Sequence, residues 1–286
     1  MSSQLDPPAR SVEKTFKVAV KSKSAVVLSV TADIGRAITT RLLADGWYVC
    51  GLGRSSERLE AFLHDEKFSF IACDLSDARS VRAAIDTYRS LASTWTLFVS
   101  CAGTMEPIGK FFELDFDAWE KSIVINMTSQ LRCLHGLWPS RETASPIDVM
   151  FMAGGGTNSP LTSYSAYCVS KIALIKMCEL IDDEEPNANA FIIGPGFVHT
   201  RIHSETLKAG KNAGVGYDKT LAFLETPGTS FDDIYAHMRW CMNAGRTTSG
   251  GRNFSTVHDA WRNGGQDLIE KLAGDPNALR LRRQQP

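Results

Sequence analysis

The chain alternates short apolar runs with longer amphipathic stretches from residue 24 onward, and this rhythm constrains its fold more than any other feature. The runs have four to six residues and are rich in Val, Ile, Phe and Cys, which is typical of strands buried on both faces of a sheet. Six such strands are predicted at Ala25–Val30, Trp47–Leu52, Phe68–Cys73, Leu97–Cys101, Ile147–Met152 and Ala190–Ile193, and a last one at Gly251–Val257.

Helical patterns occupy the stretches between the apolar runs. They predict helices at Ile34–Ala44, Asp77–Leu91, Asp115–Leu137, Tyr164–Ile181 and 231–243. The first of these ends at Asp45-Gly46, a signal for a helix C-cap. Strands that alternate with helices form βαβ units with right-handed crossovers. The expected fold class is therefore α/β, a doubly wound parallel sheet of about seven strands with helices on both faces.

The length of 286 residues suits one large α/β domain. We expect a polar N-terminal extension at residues 1–23, the domain itself at 24–258, and a polar C-terminal tail at 259–286. Residues 198–230 break the rhythm and contain only short helical patches, so they are predicted to form an irregular lid or binding loop.

Composition argues against several classes of partner. The net charge is −1 with Lys and Arg spread along the chain, which disfavours a general nucleic-acid or anionic-membrane surface. The seven cysteines form no C-x-x-C pair and no Cys/His cluster with zinc spacing, so we expect reduced thiols and no metal site. No apolar run reaches membrane-spanning length, and the N-terminus is polar. These features predict a cytoplasmic protein.

A tyrosine and a lysine at helical spacing are the first candidate catalytic residues. Tyr167 and Lys171 lie in the segment S-A-Y-C-V-S-K-I-A-L, which follows the fifth predicted strand. A spacing of four places them on one helical face, where an ammonium favours ionisation of a phenol. Asn126 lies within a long apolar helix, where a buried amide needs hydrogen-bond partners.

These segments resemble the short-chain dehydrogenase/reductase family, and the resemblance covers roughly residues 24–258. It implies a Rossmann-type sheet and a nicotinamide dinucleotide cofactor. It also implies that Tyr167 is the general acid/base, that Lys171 activates it and holds the nicotinamide ribose, and that Asn126 holds a water that relays protons.

The family's cofactor contacts map onto the carboxyl ends of the predicted strands. They are Ser29, Thr31, Asp33, Ile34, Gly35, Arg54, Asp74, Leu75, Ala102, Gly103, Pro195, Gly196 and Thr200. Only the third glycine of the family's glycine-rich turn is kept, as Gly35, which lets the helix pack closely against the strand.

Two of these positions depart from the family pattern with consequences for the cofactor. Asp33 replaces a glycine, and we expect it to be the N-cap of the helix, with its charge near the site of the pyrophosphate. Gly53 and Arg54 stand where an acidic residue would bind the ribose 2′-hydroxyl. Since an arginine binds a 2′-phosphate, NADP is favoured over NAD.

The family's catalytic serine is also absent, because Gly154 stands at its position. We expect Gly154→Ala to be tolerated and Gly154→Ser to raise turnover by adding a donor beside the developing oxyanion. Thr157, Phe197 and Arg201 are candidate substrate residues.

The predicted function is hydride transfer between NADP(H) or NAD(H) and a secondary alcohol or ketone, including a carbohydrate or nucleotide-linked sugar. Two alternatives stay open. One is a dinucleotide-binding or scaffold protein without redox activity, and the other is a sugar epimerase or lyase that uses bound nicotinamide internally. The resemblance further implies a homodimer or homotetramer paired through the helices at Asp115–Leu137 and Tyr164–Ile181.

Overall fold

Seven parallel strands form one sheet in the computed structural model, which describes residues 23–283. The strand order is β3-β2-β1-β4-β5-β6-β7. The strands are β1 Ser24–Leu28, β2 Tyr48–Gly53, β3 Phe68–Ala72, β4 Leu97–Ser100, β5 Ile147–Met152, β6 Ala188–Gly194 and β7 Asn253–Ser255. Each corresponds to a predicted strand. Apart from residue 23, the predicted N-terminal extension lies outside the described residues.

The interior strand β1 shows why the apolar runs are continuous rather than alternating. All five of its residues are buried, and it lies between β2 and β4, with Val26 opposite both Cys50 and Phe98. Its successive side chains enter two different apolar cores, since Val26 and Leu28 belong to one while Ala25 and Val27 belong to the other. Both faces of the sheet are therefore covered, as the sequence predicts.

Helices cover these two faces. They are α1 Asp33–Ala44, α2 Ala78–Ser90, α3 Phe116–Ile123, α4 Ser129–Leu137, α5 Ser165–Glu184, α6 His203–Ala209, α7 Val215–Leu224, α8 Phe231–Ala244, α9 Arg246–Ser249 and α10 Gln266–Gly274. Helices α2, α4 and α5 supply the core on one face, whereas α1, α8 and α10 supply the core on the other. The doubly wound α/β class is confirmed. No helix within residues 23–283 is both long and apolar enough to cross a membrane.

A π turn at Val124–Thr128 interrupts the helix predicted over 115–137 and separates α3 from α4. A π turn breaks the regular α-helical hydrogen-bond pattern, and here a side chain bonds two of its carbonyls. Gln130 Nε2 donates to the carbonyl oxygen of Asn126 at 2.7 Å and to that of Ile125 at 3.1 Å. π turns occur frequently at functional sites, and this one contains Asn126.

The segment after β7 differs from the predicted polar tail. Helix α10 lies within it, and Trp261, Leu268 and Leu272 are buried against the core that includes α1 and α8. Leu268 and Leu272 are four residues apart and so share one helical face. Arg252 is also buried and donates to the carbonyl of Leu272 at 3.0 Å and to that of Ala278 at 3.2 Å. Residues 259–283 are therefore part of the domain.

Candidate active site

A cleft of about 2300 Å³ runs along the carboxyl ends of the strands. It includes the region between β1 and β4, where the strand order reverses and where open α/β sheets bind ligands. Its volume exceeds the roughly 300–1,000 Å³ of typical small-molecule pockets. The cleft therefore has room for an extended ligand as well as for a small one.

Almost all of the predicted site residues line this cleft. Gly35 and Asn126 are the exceptions and lie behind its wall. Sequence reasoning missed several other lining residues that lie on the lid or on the loop after β4, namely Met105, Ile202 and Glu205. It also missed Arg58, which reaches the turn before α1. Ile202 and Glu205 lie within the predicted lid and Met105 lies two residues after Gly103, but no motif singles them out. Arg58 reaches the turn only through contacts that are distant in sequence.

Tyr167 and Lys171 lie one turn apart on α5, and both are buried. The Lys171 Nζ atom donates to the carbonyl oxygens of Met152 at 2.9 Å and Ala102 at 3.1 Å, at the ends of β5 and β4. The same atom lies 5.8 Å from the centroid of the Tyr167 ring. The two strand ends therefore hold the ammonium beside the phenol.

Burial shifts the pKa values of both groups toward their neutral forms. It lowers the pKa of Lys171 to about 8. It raises the pKa of Tyr167, and the nearby acidic groups of Cys168 and Glu205 add to that increase. The sequence predicts that the ammonium and an oxidised nicotinamide together lower the pKa of the phenol, whereas in this structure burial and the two acidic neighbours raise it. The phenol is thus protonated at neutral pH.

Asn126 is fully buried, and the protein satisfies its side-chain amide. Its Oδ1 atom accepts from the backbone N–H of Thr104 at 2.8 Å. Its Nδ2 atom donates to the Thr104 carbonyl at 2.8 Å and to Ser122 Oγ at 3.2 Å. A β-carbon on Gly103 would lie 3.9 Å from Asn126 Oδ1 and 3.7 Å from Lys171 Nζ. The asparagine and the lysine therefore converge on Gly103, in the loop after β4.

The space beside Gly154 is filled by the side chain of Tyr167. A β-carbon on Gly154 would lie 2.5 Å from Tyr167 Cζ and closer still to the phenol oxygen. The expectation that Gly154→Ala is tolerated is therefore wrong, because the added methyl group and the phenol need the same space. The expected gain from Gly154→Ser depends on that tolerance, so the same contact argues against it.

The turn between β1 and α1 keeps the shape of a glycine-rich turn despite its altered residues. Ser29 has a φ of 61°, in the left-handed region that favours glycine. A β-carbon on Gly35 would lie 3.2 Å from the Ser29 carbonyl carbon and closer still to its oxygen. Gly35 is therefore required for the close approach of α1 to this turn, the role predicted for it.

Asp33 does not cap α1 through its side chain, so the N-cap prediction is wrong. Ala32 is the N-cap, and Asp33 is the first helical residue. Its carboxylate instead accepts from Arg58 Nη2 at 2.7 Å and from the backbone N–H of Arg201 at 2.9 Å. Burial alone would raise the pKa of Asp33, but these bonds and the two guanidinium charges lower it overall. The carboxylate is therefore ionised at neutral pH.

Arg54 lies at the end of β2 and lines the cleft with an exposed side chain. Its guanidinium makes no hydrogen bond or ion pair with any other residue in the range 23–283. The charges of Arg54 and Lys121 help to lower the pKa of Asp74, although burial opposes them and hydrogen bonds from Ser76 contribute more. Arg54 is thus free to bind an anion at this end of the cleft.

Residues of the lid pack against Tyr167. Glu205 on α6 anchors the lid, since its Oε2 atom accepts from the Met105 N–H at 2.5 Å and from Thr104 Oγ1 at 3.1 Å. An apolar cluster surrounds the phenol ring there. It includes Ile108, Tyr164 and Ala213, with Met105, Leu161 and Ile202 packed against them.

The comparisons with known proteins agree with this architecture. Residues 23–211 match the family model described as short chain dehydrogenase. A yeast protein, the uncharacterized oxidoreductase YIR035C of Saccharomyces cerevisiae, is 27% identical over 186 residues, which cover 62% of this chain and 71% of the relative. The benzil reductase ((S)-benzoin forming) IRC24 of the same organism is 25% identical over 56% of this chain and 65% of the relative.

Solved structures show the same fold. The crystal structure of YIR035C superposes with a TM-score of 0.73 at 20% identity and covers 84% of this chain and 98% of its own. That of the KRED1-Pglu enzyme gives a TM-score of 0.72 at 23% identity, with 81% and 100% covered. Because the family model matches well over half of its residues, the chain belongs to the short-chain dehydrogenase/reductase family of oxidoreductases, which generally bind NAD(P).

Proposed function

We propose that the protein is an NADP(H)-preferring oxidoreductase that interconverts a ketone and a secondary alcohol. The observation that carries this proposal is the burial of Tyr167 and Lys171 side by side at the carboxyl edge of the sheet, with Asn126 behind them. A buried phenol that is protonated at neutral pH is a proton donor placed at the end of a cleft.

Each of the three residues has a separate role. Tyr167 donates its proton to the substrate oxygen during reduction, and Lys171 holds positive charge beside the phenolate that results. Asn126 positions the loop after β4 through Thr104, and thereby the carbonyl of Ala102 that binds the ammonium. Bound NADPH would supply the hydride.

The cleft fits a dinucleotide in most of its length. Gly53 and Gly103 line the cleft, and the absence of a β-carbon at each leaves the backbone open to a ligand. Arg54 offers a free guanidinium for the 2′-phosphate, which supports the preference for NADP(H) over NAD(H). The carboxylate of Asp33, at the turn before α1, opposes an anion on this path.

The surroundings of the phenol favour an apolar ketone over a sugar. The apolar side chains of Met105, Leu161 and Ile202 pack around Tyr167, with Thr157 and Phe197 farther along the cleft. A relative named as a benzil reductase is consistent with this substrate class. We therefore propose an apolar, aryl- or alkyl-substituted ketone.

Replacement of the phenol oxygen tests the proposal. Tyr167→Phe should lower the rate of NADPH oxidation with a panel of apolar ketones by about 10²–10⁴-fold, the usual contribution of a general acid. Tyr235→Phe is the matched control, since Tyr235 lies on α8 and donates to Asp45 outside the cleft. A Tyr167→Phe rate within a few-fold of the control would overturn the role of Tyr167.

A second candidate function is dinucleotide binding without turnover. The glycine at position 154 and the carboxylate of Asp33 favour it, because both depart from the reductase pattern at the reacting end and the phosphate end of the cleft. NADPH binding by calorimetry, without oxidation by any ketone or sugar, would select it.

A homodimer is also part of the proposal. Phe116 on α3 and Val169 and Leu180 on α5 are large apolar side chains that are 60%, 51% and 42% exposed. Helices α3 and α5 pack against each other, so they form one surface on which a second copy could cover these side chains. Sedimentation of the purified protein measures its mass in solution and tests this.

A further inference from the structure

Two arginines from distant segments meet at one carboxylate beside the turn before α1. Asp33 Oδ1 accepts from Arg58 Nη2 at 2.7 Å and lies 3.5 Å from Arg201 Nε. Asp33 Oδ2 accepts from the backbone N–H of Arg201 at 2.9 Å. Arg58 comes from the loop after β2, whereas Arg201 comes from the lid. The carboxylate therefore joins two segments that are distant in sequence.

The same two guanidiniums also bind the backbone of the turn. Arg58 Nη1 donates to the Thr31 carbonyl at 3.0 Å, and Arg201 Nη2 donates to the same oxygen at 3.1 Å. Both positive groups are thus fixed at the N-terminal end of α1, a helix of twelve residues whose first N–H groups favour an anion. Two guanidiniums and one carboxylate leave one positive charge uncompensated at this point.

Arg58 and Arg201 are arranged as an anion-binding site, and the anion that they contact is the side chain of Asp33. The Asp33 side chain is 15% exposed and lines the cleft together with Arg201, whose side chain is 64% exposed. A phosphate group that enters the cleft needs the same donors that the Asp33 carboxylate already uses. Both anions accept charge-assisted hydrogen bonds from guanidinium in a similar geometry, and so they compete for the same two arginines.

We propose that Arg58 and Arg201 form a binding site for the pyrophosphate group of the dinucleotide, and that the Asp33 carboxylate occupies this site until the dinucleotide displaces it. The proposal rests on the proposed function in so far as the ligand is a dinucleotide. It assigns to Arg58 a role different from that of Arg54, because pyrophosphate is common to NADPH and NADH whereas the 2′-phosphate is not.

This arrangement also ties the lid to cofactor binding. The lid segment is joined to the turn through Arg201, and the next residue, Ile202, has its Cδ1 atom 3.6 Å from the place of a β-carbon on Gly103. A ligand that displaces the Asp33 carboxylate would break the hydrogen bond from the Arg201 N–H that joins the lid to the turn.

Removal of the carboxylate charge tests the site with a simple probe. Asp33→Asn keeps the size of the side chain, and it should tighten binding of inorganic pyrophosphate and of NADPH to the full chain by at least about tenfold in calorimetry. Adding Arg58→Ala to Asp33→Asn should reverse that gain. If Asp33→Asn fails to fold, Asp33→Gly is the second variant, and it should also tighten pyrophosphate binding.

Arg36→Ala controls for a general loss of positive charge. Arg36 lies three residues after Asp33 on α1, is exposed, and has no side-chain hydrogen bond or ion pair within residues 23–283. In the Asp33→Asn background it should change pyrophosphate affinity less than about threefold, because exposed charges are screened. An equal loss from Arg36→Ala and Arg58→Ala would overturn the assignment of Arg58.

The outcomes separate this inference from the proposed function. If NADPH binds the wild-type and Asp33→Asn proteins equally well, the carboxylate does not compete and the inference fails while the proposed function stands. If Asp33→Asn tightens pyrophosphate binding but neither protein binds NADPH or NADH, the anion site stands and the proposed function fails.

Discussion

The phenol ring of Tyr167 occupies the space into which any side chain at Gly154 would have to grow. Because Cζ lies 2.5 Å from the position of a β-carbon, Gly154→Ala must displace the ring. We expect the free energy of unfolding to fall by about 1–3 kcal/mol, the usual effect of overpacking, and turnover to fall with it. Chemical denaturation measures the first effect. Gly274→Ala is the matched control, since a β-carbon there meets nothing within 4 Å, and equal stability of the two variants would contradict the prediction.

Gly154→Ser should likewise lower turnover rather than raise it. Its hydroxyl would enter the site only if Tyr167 moved, and the displaced phenol would lose its place beside Lys171. Steady-state assays on the ketone panel check this. A rate above that of the wild type would mean that the ring rotates away without loss of its function.

Arg54→Ala should weaken NADPH binding by at least about tenfold and change NADH binding less than about twofold. The reason is that the exposed guanidinium forms no hydrogen bond or ion pair within residues 23–283 and is free to bind a 2′-phosphate. Calorimetry with both cofactors measures the difference. Arg89→Ala on the exposed face of α2 is the control. An equal loss of affinity for both cofactors would mean that Arg54 does not bind the 2′-phosphate.

Stability below neutral pH should depend on His237. This side chain is fully buried, stacks on Trp261 with ring centroids 4.6 Å apart, and has its pKa lowered to about 3 by burial. The unfolded chain binds a proton below about pH 6.5 while the folded chain does not, so stability falls as pH drops through that window. The contribution is about 2 kcal/mol between roughly pH 7 and pH 5.

His237→Phe should remove that part of the pH dependence, and the difference between variant and wild type is the quantity to measure. The difference is needed because Asp148 acts in the opposite direction. Burial raises its pKa to about 6, so the folded state gains stability as this carboxyl takes up a proton. His64→Phe, at an exposed position, is the control. A stability difference for His237→Phe that stays constant with pH would contradict the assignment.

Ser29→Gly should raise the free energy of unfolding, by up to about 1 kcal/mol. Its φ of 61° is costly for a residue with a β-carbon, and relief of that strain exceeds the extra entropy that glycine gives the unfolded chain. Ser55→Gly, at a position without positive φ, should lower stability instead. If thermal unfolding moves in the same direction for both variants, backbone strain at Ser29 is not the cause.

The fold could be predicted from sequence because its signal is local and repeated. Each buried strand is a short apolar run, and most of the helices that cover the sheet show their own periodicity, so Ile147–Met152 is recovered at both ends. The C-terminal helix was missed because Leu268 and Leu272 stand among charged residues, where overall polarity hides a spacing of four.

The candidate site could be predicted where its residues lie in a motif on α5 or at the carboxyl end of a strand. Tyr167 and Lys171 share a helix, and their spacing alone brings them together. Asp33 meets Arg58 and Arg201 across 25 and 168 residues of chain, and no local pattern records such a contact. The N-cap preference considers only local sequence, and it therefore predicted the wrong hydrogen-bond partner for Asp33.

The position of Asn126 depends on the number of residues in the π turn at Val124–Thr128 as well as on the residue type. Deleting one residue from the turn would restore an ordinary α-helix and rotate α3 against α4 by about 100°. Gln130 would then lose the two carbonyls that it binds, and the amide would no longer face Thr104. In a homologue that has the asparagine but lacks the extra residue of the π turn, the asparagine would align with Asn126. It would not form the hydrogen bond to the Thr104 carbonyl.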